Sequence, residues 1–270
     1  MAAQRNSDSW TKSIFRSLPV CLLLLLLPVE PAPALDPGQP ANSYVRAHFG
    51  ESEGLRGNVV NGMVQSRDGF LWLIVGSGLA RFDGQHFNGF DQPSFVRAIA
   101  LAPDGDLWVG TNHDLEQIPA GALNGFDRLS AVSSQAIPGN GNEIRCLHFS
   151  RRGILWVGTS AGLYRFDAGV FSSVIPQGAI ERIEETASGH LLVVSAKGFM
   201  ELDDSKIVPH PDLATQLDVG TDGIFHVLED THGVTWFCTT KGVARRVGGA
   251  LEKLPGYGRS GLRACVDHHH

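Results

Sequence analysis

The sequence predicts an all-β fold, a β-propeller of short four-stranded blades, and three observations carry that prediction. Gly supplies 32 of the 270 residues, a content that favours many tight turns between short segments over long helices. A Gly-x-x-Trp element recurs five times, with anchors at Trp72, Trp108, Trp156, Leu192 and Trp236 that lie 36, 48, 36 and 44 residues apart. After the N-terminal leader, no segment repeats apolar residues at i, i+3, i+4 and i+7 over a dozen positions, as a helical repeat requires. A period of this size marks an architecture built by stacking units too small to bury an apolar face alone.

The elements follow in chain order. Arg5, Lys12 and Arg16 precede an apolar run, Val20 to Leu27, which is followed by Ala32-Pro33-Ala34. This is the tripartite pattern of a secretory signal peptide, residues 1–34. The run of eight residues falls far short of the roughly 20 needed to span a bilayer. Cys21 lies inside the run and not just after it, which disfavours a lipidated cysteine. The propeller domain is then 35–270, with blades expected at about 57–90, 94–130, 142–175, 179–210 and 222–254.

Within each blade the first strand carries an aliphatic residue twelve positions before the anchor: Val60, Val96, Ile144, Ile180 and Ile224. A turn follows, with Gly three positions before the anchor. The second strand holds the anchor and then Val75, Thr111, Thr159, Ser195 or Thr239. A second turn uses Gly78, Asp114, Gly162, Gly198 or Gly242, where positive φ is expected. The third strand ends in Arg-Phe-Asp in blades 1 and 3, and an outer strand such as His86 to Phe90 completes the unit. One large aromatic per blade, packed between neighbours, buries roughly 150–250 Å². Gly261 to Asp267 restates the first strand with Leu262 at the aliphatic place, so a partial sixth blade is expected at 261–270 in a truncated ring of about seven blades. The alternative is a five-bladed ring whose last blade is closed by Tyr44 to Phe49.

Charge and chemistry narrow the function. With 22 Lys plus Arg against 28 Asp plus Glu, a net charge of −6, and basic residues scattered, the chain lacks the stripe that tracks phosphates, and nucleic acid is excluded as partner. Cys146, Cys238 and Cys265 remain after the leader, an odd set with no disulfide framework. No cofactor motif is present. The internal histidines show no metal-ligand spacing, and His268 to His270 read as a tag or shifted-frame remnant, so no metal is expected. Eleven positions before the anchor stand Asn61, Arg97, Arg145, Glu181 and Phe225, then Arg263 in the partial blade, with His226 adjacent in register. Alternation along a strand turns this column away from its aliphatic neighbour and toward the central channel. Arginines there suit a carboxylate or sulfate held by bidentate bonds. The competing reading is that these residues pair with one another across the channel.

The run Tyr44 to Phe49, then Glu53 to Val60, Asp68-Gly69-Phe70-Leu71-Trp72 and Gly78 to Gly84 resembles the opening blade of two-component regulator propeller proteins. The resemblance covers roughly 42–254, strongest in blades 1 and 3, with Asp114 and Leu192 as departures. It implies a periplasmic or secreted, non-catalytic ligand-sensing propeller from a two-component receptor, a homodimer in its full-length form. The kinase or cyclase output domain of such receptors is missing from these 270 residues. The functional reading of the polar column expects an acidic oligosaccharide as ligand, with Asn61, Arg97, Arg145, Glu181, His226 and Arg263 as its candidate residues, and the family's frequent association with polysaccharide sensing agrees with it. The repeats are similar as well to those of antibiotic-cleaving lyase propellers, which need a His and acidic residues with a divalent ion. His226 and Glu181 are the pair available for that alternative.

Overall fold

A computed structural model describes residues 47–57, 59–90, 95–122, 133–138, 143–195, 198–203, 206–219 and 223–254. The chain divides into two compact units, Met1–His48 and Phe49–His270. The expected signal peptide and partial sixth blade lie outside the described residues, as does Arg263. The second unit is a β-propeller of five four-stranded antiparallel sheets. Blade 1 is β1 (Val60–Gln65), β2 (Leu71–Val75), β3 (Gly78–Phe82) and β4 (Phe87–Phe90). Blade 2 is β5 (Val96–Leu101), β6 (Leu107–Thr111), β7 (Asp114–Ile118) and β8 (Ser133–Ala136). Blade 3 is β9 (Ile144–Phe149), β10 (Leu155–Thr159), β11 (Leu163–Asp167) and β12 (Val170–Ile175). Blade 4 is β13 (Ile180–Glu185), β14 (Leu191–Ser195), β15 (Gly198–Asp203) and β16 (Lys206–His210). A short helix α1 (Leu213–Leu217) leads to blade 5, made of β17 (Ile224–Glu229), β18 (Thr235–Thr239), β19 (Gly242–Val247) and β20 (Ala250–Lys253).

The two turn columns obey different physics. Gly69, Gly105, Gly153, Gly189 and Gly233 all have φ between 74 and 98°. Each donates its N–H to the residue three before it, closing a turn of the type that ends in a left-handed glycine. At the second column only Gly198 and Gly242 have positive φ, so the expectation of a left-handed residue there fails in blades 1 to 3. Asp114 sits there with an ordinary backbone. Gly162 is required by space: a Cβ would stand 2.1 Å from the Ile175 carbonyl oxygen. The hydroxyl column explains why this hairpin needs no common φ. Thr111, Thr159, Ser195 and Thr239 each donate to the carbonyl of the second-column residue at 2.9–3.0 Å.

Blades pack face to face as the Trp column predicts. Trp72, Ile74 and Leu79 meet Val96, Ile99 and Val109 of blade 2. Trp156 and Leu163 meet Ile180, Ile183 and Val193 of blade 4. Leu192, Val194 and Phe199 meet Ile224, Val227 and Phe237, so Leu fills the anchor place without loss of burial. The fifth sheet has four strands of its own. Phe49 packs edge-on against Phe82 of blade 1 at 4.8 Å, which removes it from the place expected in a ring closed through blade 5. The inner strands β1, β5, β9, β13 and β17 lie side by side in that order, whereas β17 and β1 share no comparable contact.

Candidate functional site

Every inner strand is interrupted at the same place. The register slips between Val60 and Gly62, Val96 and Ala98, Ile180 and Arg182, and Ile224 and His226, and blade 3 slips between Ile144 and Cys146. The extra residue is Asn61, Arg97, Arg145, Glu181 or Phe225, the column singled out from sequence. A β-bulge leaves its extra residue unpaired and re-aims it. It also resets the alternation, so that residues twelve and nine before the anchor share one buried face although they are an odd number apart. Val96 with Ile99, Ile180 with Ile183, and Ile224 with Val227 show this. Simple alternation therefore does not by itself account for where this column points.

The bulged residues of blades 1 to 4 line one open cavity of about 570 Å³ together with Glu143 and Arg182. Asn61 Nδ2–H donates to the Gly76 carbonyl at 3.1 Å. Arg97 pairs with Glu143 at 3.5 Å, and Arg145 forms a short charge-assisted bond with Glu181. Arg182 Nη1–H donates to the Glu181 carbonyl at 2.5 Å. Three guanidinium groups thus face two carboxylates, a local excess of one positive charge in a chain of net charge −6. These pairs are between a third and a half exposed, so each stabilises the fold by roughly 0–1 kcal/mol at most.

A second cavity of about 480 Å³ shares Asn61, Arg97, Arg145 and Arg182 and continues along the channel, with Met63, Ile99, Leu147 and Ile183 in its wall. His226 lines this part, while Glu181 lines only the first cavity. Of the residues singled out from sequence, the structure brings Asn61, Arg97, Arg145 and Glu181 together at one cavity and places His226 further along. Sequence reasoning missed Glu143 and Arg182. Arg182 had a signal: ten positions before the anchor the column reads Gly62, Ala98, Cys146, Arg182 and His226, small until blade 4. Cys146 is buried, and burial pushes its thiol up to about 12, with Sγ–H directed at the Ile180 carbonyl. It is a packing residue and not a nucleophile.

Among the described residues no group of three or more His, Cys, Asp or Glu side chains is placed to hold a metal ion. Glu181 pairs with Arg145 in the first cavity and His226 lines the second, so the two residues of the lyase alternative are not brought to one cavity.

The fold defines the chain as a β-propeller. Residues 91–113 and 138–161, covering the inner hairpins of blades 2 and 3, match the family described as Two component regulator propeller. No curated protein matches the sequence. Among solved structures, the chain is similar to the extracellular domain of a hybrid two component system from B. thetaiotaomicron, at 21% identity and TM-score 0.59 over 76% of this chain and 31% of that one. It is also similar to virginiamycin B lyase from Staphylococcus aureus, at 14% identity and TM-score 0.57, covering 73% and 69% of the two chains. PorZ, a surface component of the type-IX secretion system of Porphyromonas gingivalis, aligns at 15% identity and TM-score 0.56, covering 74% and 34%. The chain thus spans about a third of the sensor ectodomain it resembles. At these identities the likeness is one of fold.

Proposed function

We propose that this chain is the extracytoplasmic ligand-sensing propeller of a two-component type receptor, that it is periplasmic or secreted, and that it binds its ligand without transforming it. The observation that carries the reading is the convergence of four bulged residues from consecutive blades on one open cavity whose arginines outnumber its carboxylates. The repeat match in blades 2 and 3 and the fold shared with a hybrid two component system support it. The ligand is an acidic oligosaccharide. A uronate carboxylate exchanges for Glu143 or Glu181 on an arginine, and Asn61 and the channel wall receive the sugar hydroxyls and ring faces. In the full-length receptor the sensor region is a homodimer. The lyase reading shares the fold, but the pair it would rest on, His226 and Glu181, is divided between the two cavities.

The test is calorimetric titration of the full chain with uronic-acid oligosaccharides and their methyl-esterified, neutral counterparts. Binding of the acid forms alone, weakened at least tenfold in Arg97→Ala and Arg182→Ala, is the expected result. Equal binding of neutral and acidic forms, or binding unchanged in both variants, would remove the channel mouth as the acid-reading site.

A further inference from the structure

Blade 1 departs from the other blades on one face. The paired aliphatic residues of the inner strand are closed off in blade 2 (Val96 3% exposed, Ile99 9%), blade 4 (Ile180 0%, Ile183 7%) and blade 5 (Ile224 3%, Val227 0%). Their counterparts in blade 1 are open, Val60 at 40% and Met63 at 56%. The rest of that rear face is covered, because Leu73, Val75 and Ala80 pack with Leu55, Phe82 and Phe87. The opening is therefore confined to β1.

The molecule itself shows what fits there. In its four internal junctions the rear face receives the forward face of the preceding blade, whose anchor and the residue seven beyond it supply the contact, as with Trp72 and Leu79 or Trp156 and Leu163. Blade 5 carries Trp236 and Val243 in the same two columns, each only half-buried. The polar register agrees. The residue five before the anchor donates its N–H to the carboxylate seven before the next anchor, Arg151 to Glu185 and Ala187 to Glu229, both at 2.8 Å. Thr231 of blade 5 and Gln65 of blade 1 occupy those two places, a backbone N–H and an amide acceptor. Within one chain β17 and β1 do not make this junction.

We propose that the rear face of blade 1 docks the forward face of blade 5 of a second copy of this chain, head to tail. The contact is heterologous, so it propagates beyond a dimer unless rotation closes it. Val60 and Met63 also line the second channel cavity, so a docked blade would wall the channel on that side. The test is sedimentation velocity on the full chain across a concentration series, with Met63→Lys and Val243→Glu, whose folding is checked by circular dichroism. The wild type should show concentration-dependent species larger than a dimer, and each variant alone should sediment as a monomer. An equimolar mixture of the two variants should give a dimer and nothing larger, because the mixture contains one intact pair of faces. A monomeric wild type at the highest soluble concentration overturns the proposal. So does association that persists in V243E alone, which would mean a symmetric contact between two blade 1 faces.

Discussion

Substituting Gly110 by Ala tests how closely the blades are set. Gly110 lies two residues past the anchor of blade 2, on the face toward blade 3, and its backbone φ is unexceptional. A Cβ built there would stand 2.4 Å from Ile144 Cγ2 and 3.0 Å from Ile144 Cβ. Ile144 is fully buried on the inner strand of blade 3 and has no room to withdraw. Overpacking of this kind costs about 1–3 kcal/mol, and the stiffer unfolded chain returns about 0.4–1 kcal/mol, so the net loss expected is on the order of 1–2 kcal/mol. Ile144→Ala alone leaves a cavity and costs about 2–5 kcal/mol. The double variant places the new methyl group in that cavity, so its loss should fall short of the sum of the single losses by about 1–2 kcal/mol. Equilibrium urea unfolding followed by Trp fluorescence measures all three. A neutral or stabilising Gly110→Ala, or strict additivity in the double variant, would refute the inter-blade spacing from which the site geometry follows.

Three further outcomes follow from individual groups. Thr159 is buried and its hydroxyl accepts the Ala161 and Gly162 N–H groups at 3.1 and 3.0 Å while donating to the Gly162 carbonyl, so Thr159→Val should cost roughly 1–3 kcal/mol in the same unfolding assay. Burial, helped by the neighbouring Glu185 carboxylate, raises Glu184 from 4.5 to about 7. A carboxyl raised in the folded state contributes stability that is full below 4.5 and is lost as pH climbs through 7. Glu184→Gln should therefore flatten the fall in Tm between pH 5 and pH 8, and an unchanged slope would contradict the burial of this group. Cys146, with its thiol held near 12, should resist iodoacetamide at pH 8 in the native protein and react once urea unfolds it, as read by peptide mass spectrometry.

The sequence revealed the fold through features that repeat and are local. The Trp and Leu anchors, the left-handed Gly three residues before them and the hydroxyl three after them are each enforced by contacts inside one hairpin or between adjacent blades. They recur at fixed offsets and can be seen by self-comparison. The bulges were not legible, because a bulge is a relation between two strands, and the composition of Val60-Asn61-Gly62 does not show that Val60 faces Val75 while Gly62 faces Ile74. The arginine column was visible, and so was the reading that its members pair with one another, but not which partners meet. Arg145 and Glu181 are 36 residues apart and meet only because adjacent blades bring their bulges together. Glu143 was missed because it precedes the inner strand, outside every repeating column. The expectation of positive φ at Gly162 failed because the approach of Ile175, a tertiary contact, and not the local turn, dictates glycine there.

A crystal structure of the full chain soaked with a uronic-acid oligosaccharide would test the channel-mouth site by direct observation. The predicted result is an intact ligand whose carboxylate lies against Arg97, Arg145 or Arg182, with Glu143 or Glu181 displaced from its arginine. A cleaved ligand, or an intact one seated instead in the groove between blades 4 and 5 beside Glu201, His210 and Arg246, would contradict a non-catalytic sensor reading its signal at the channel mouth.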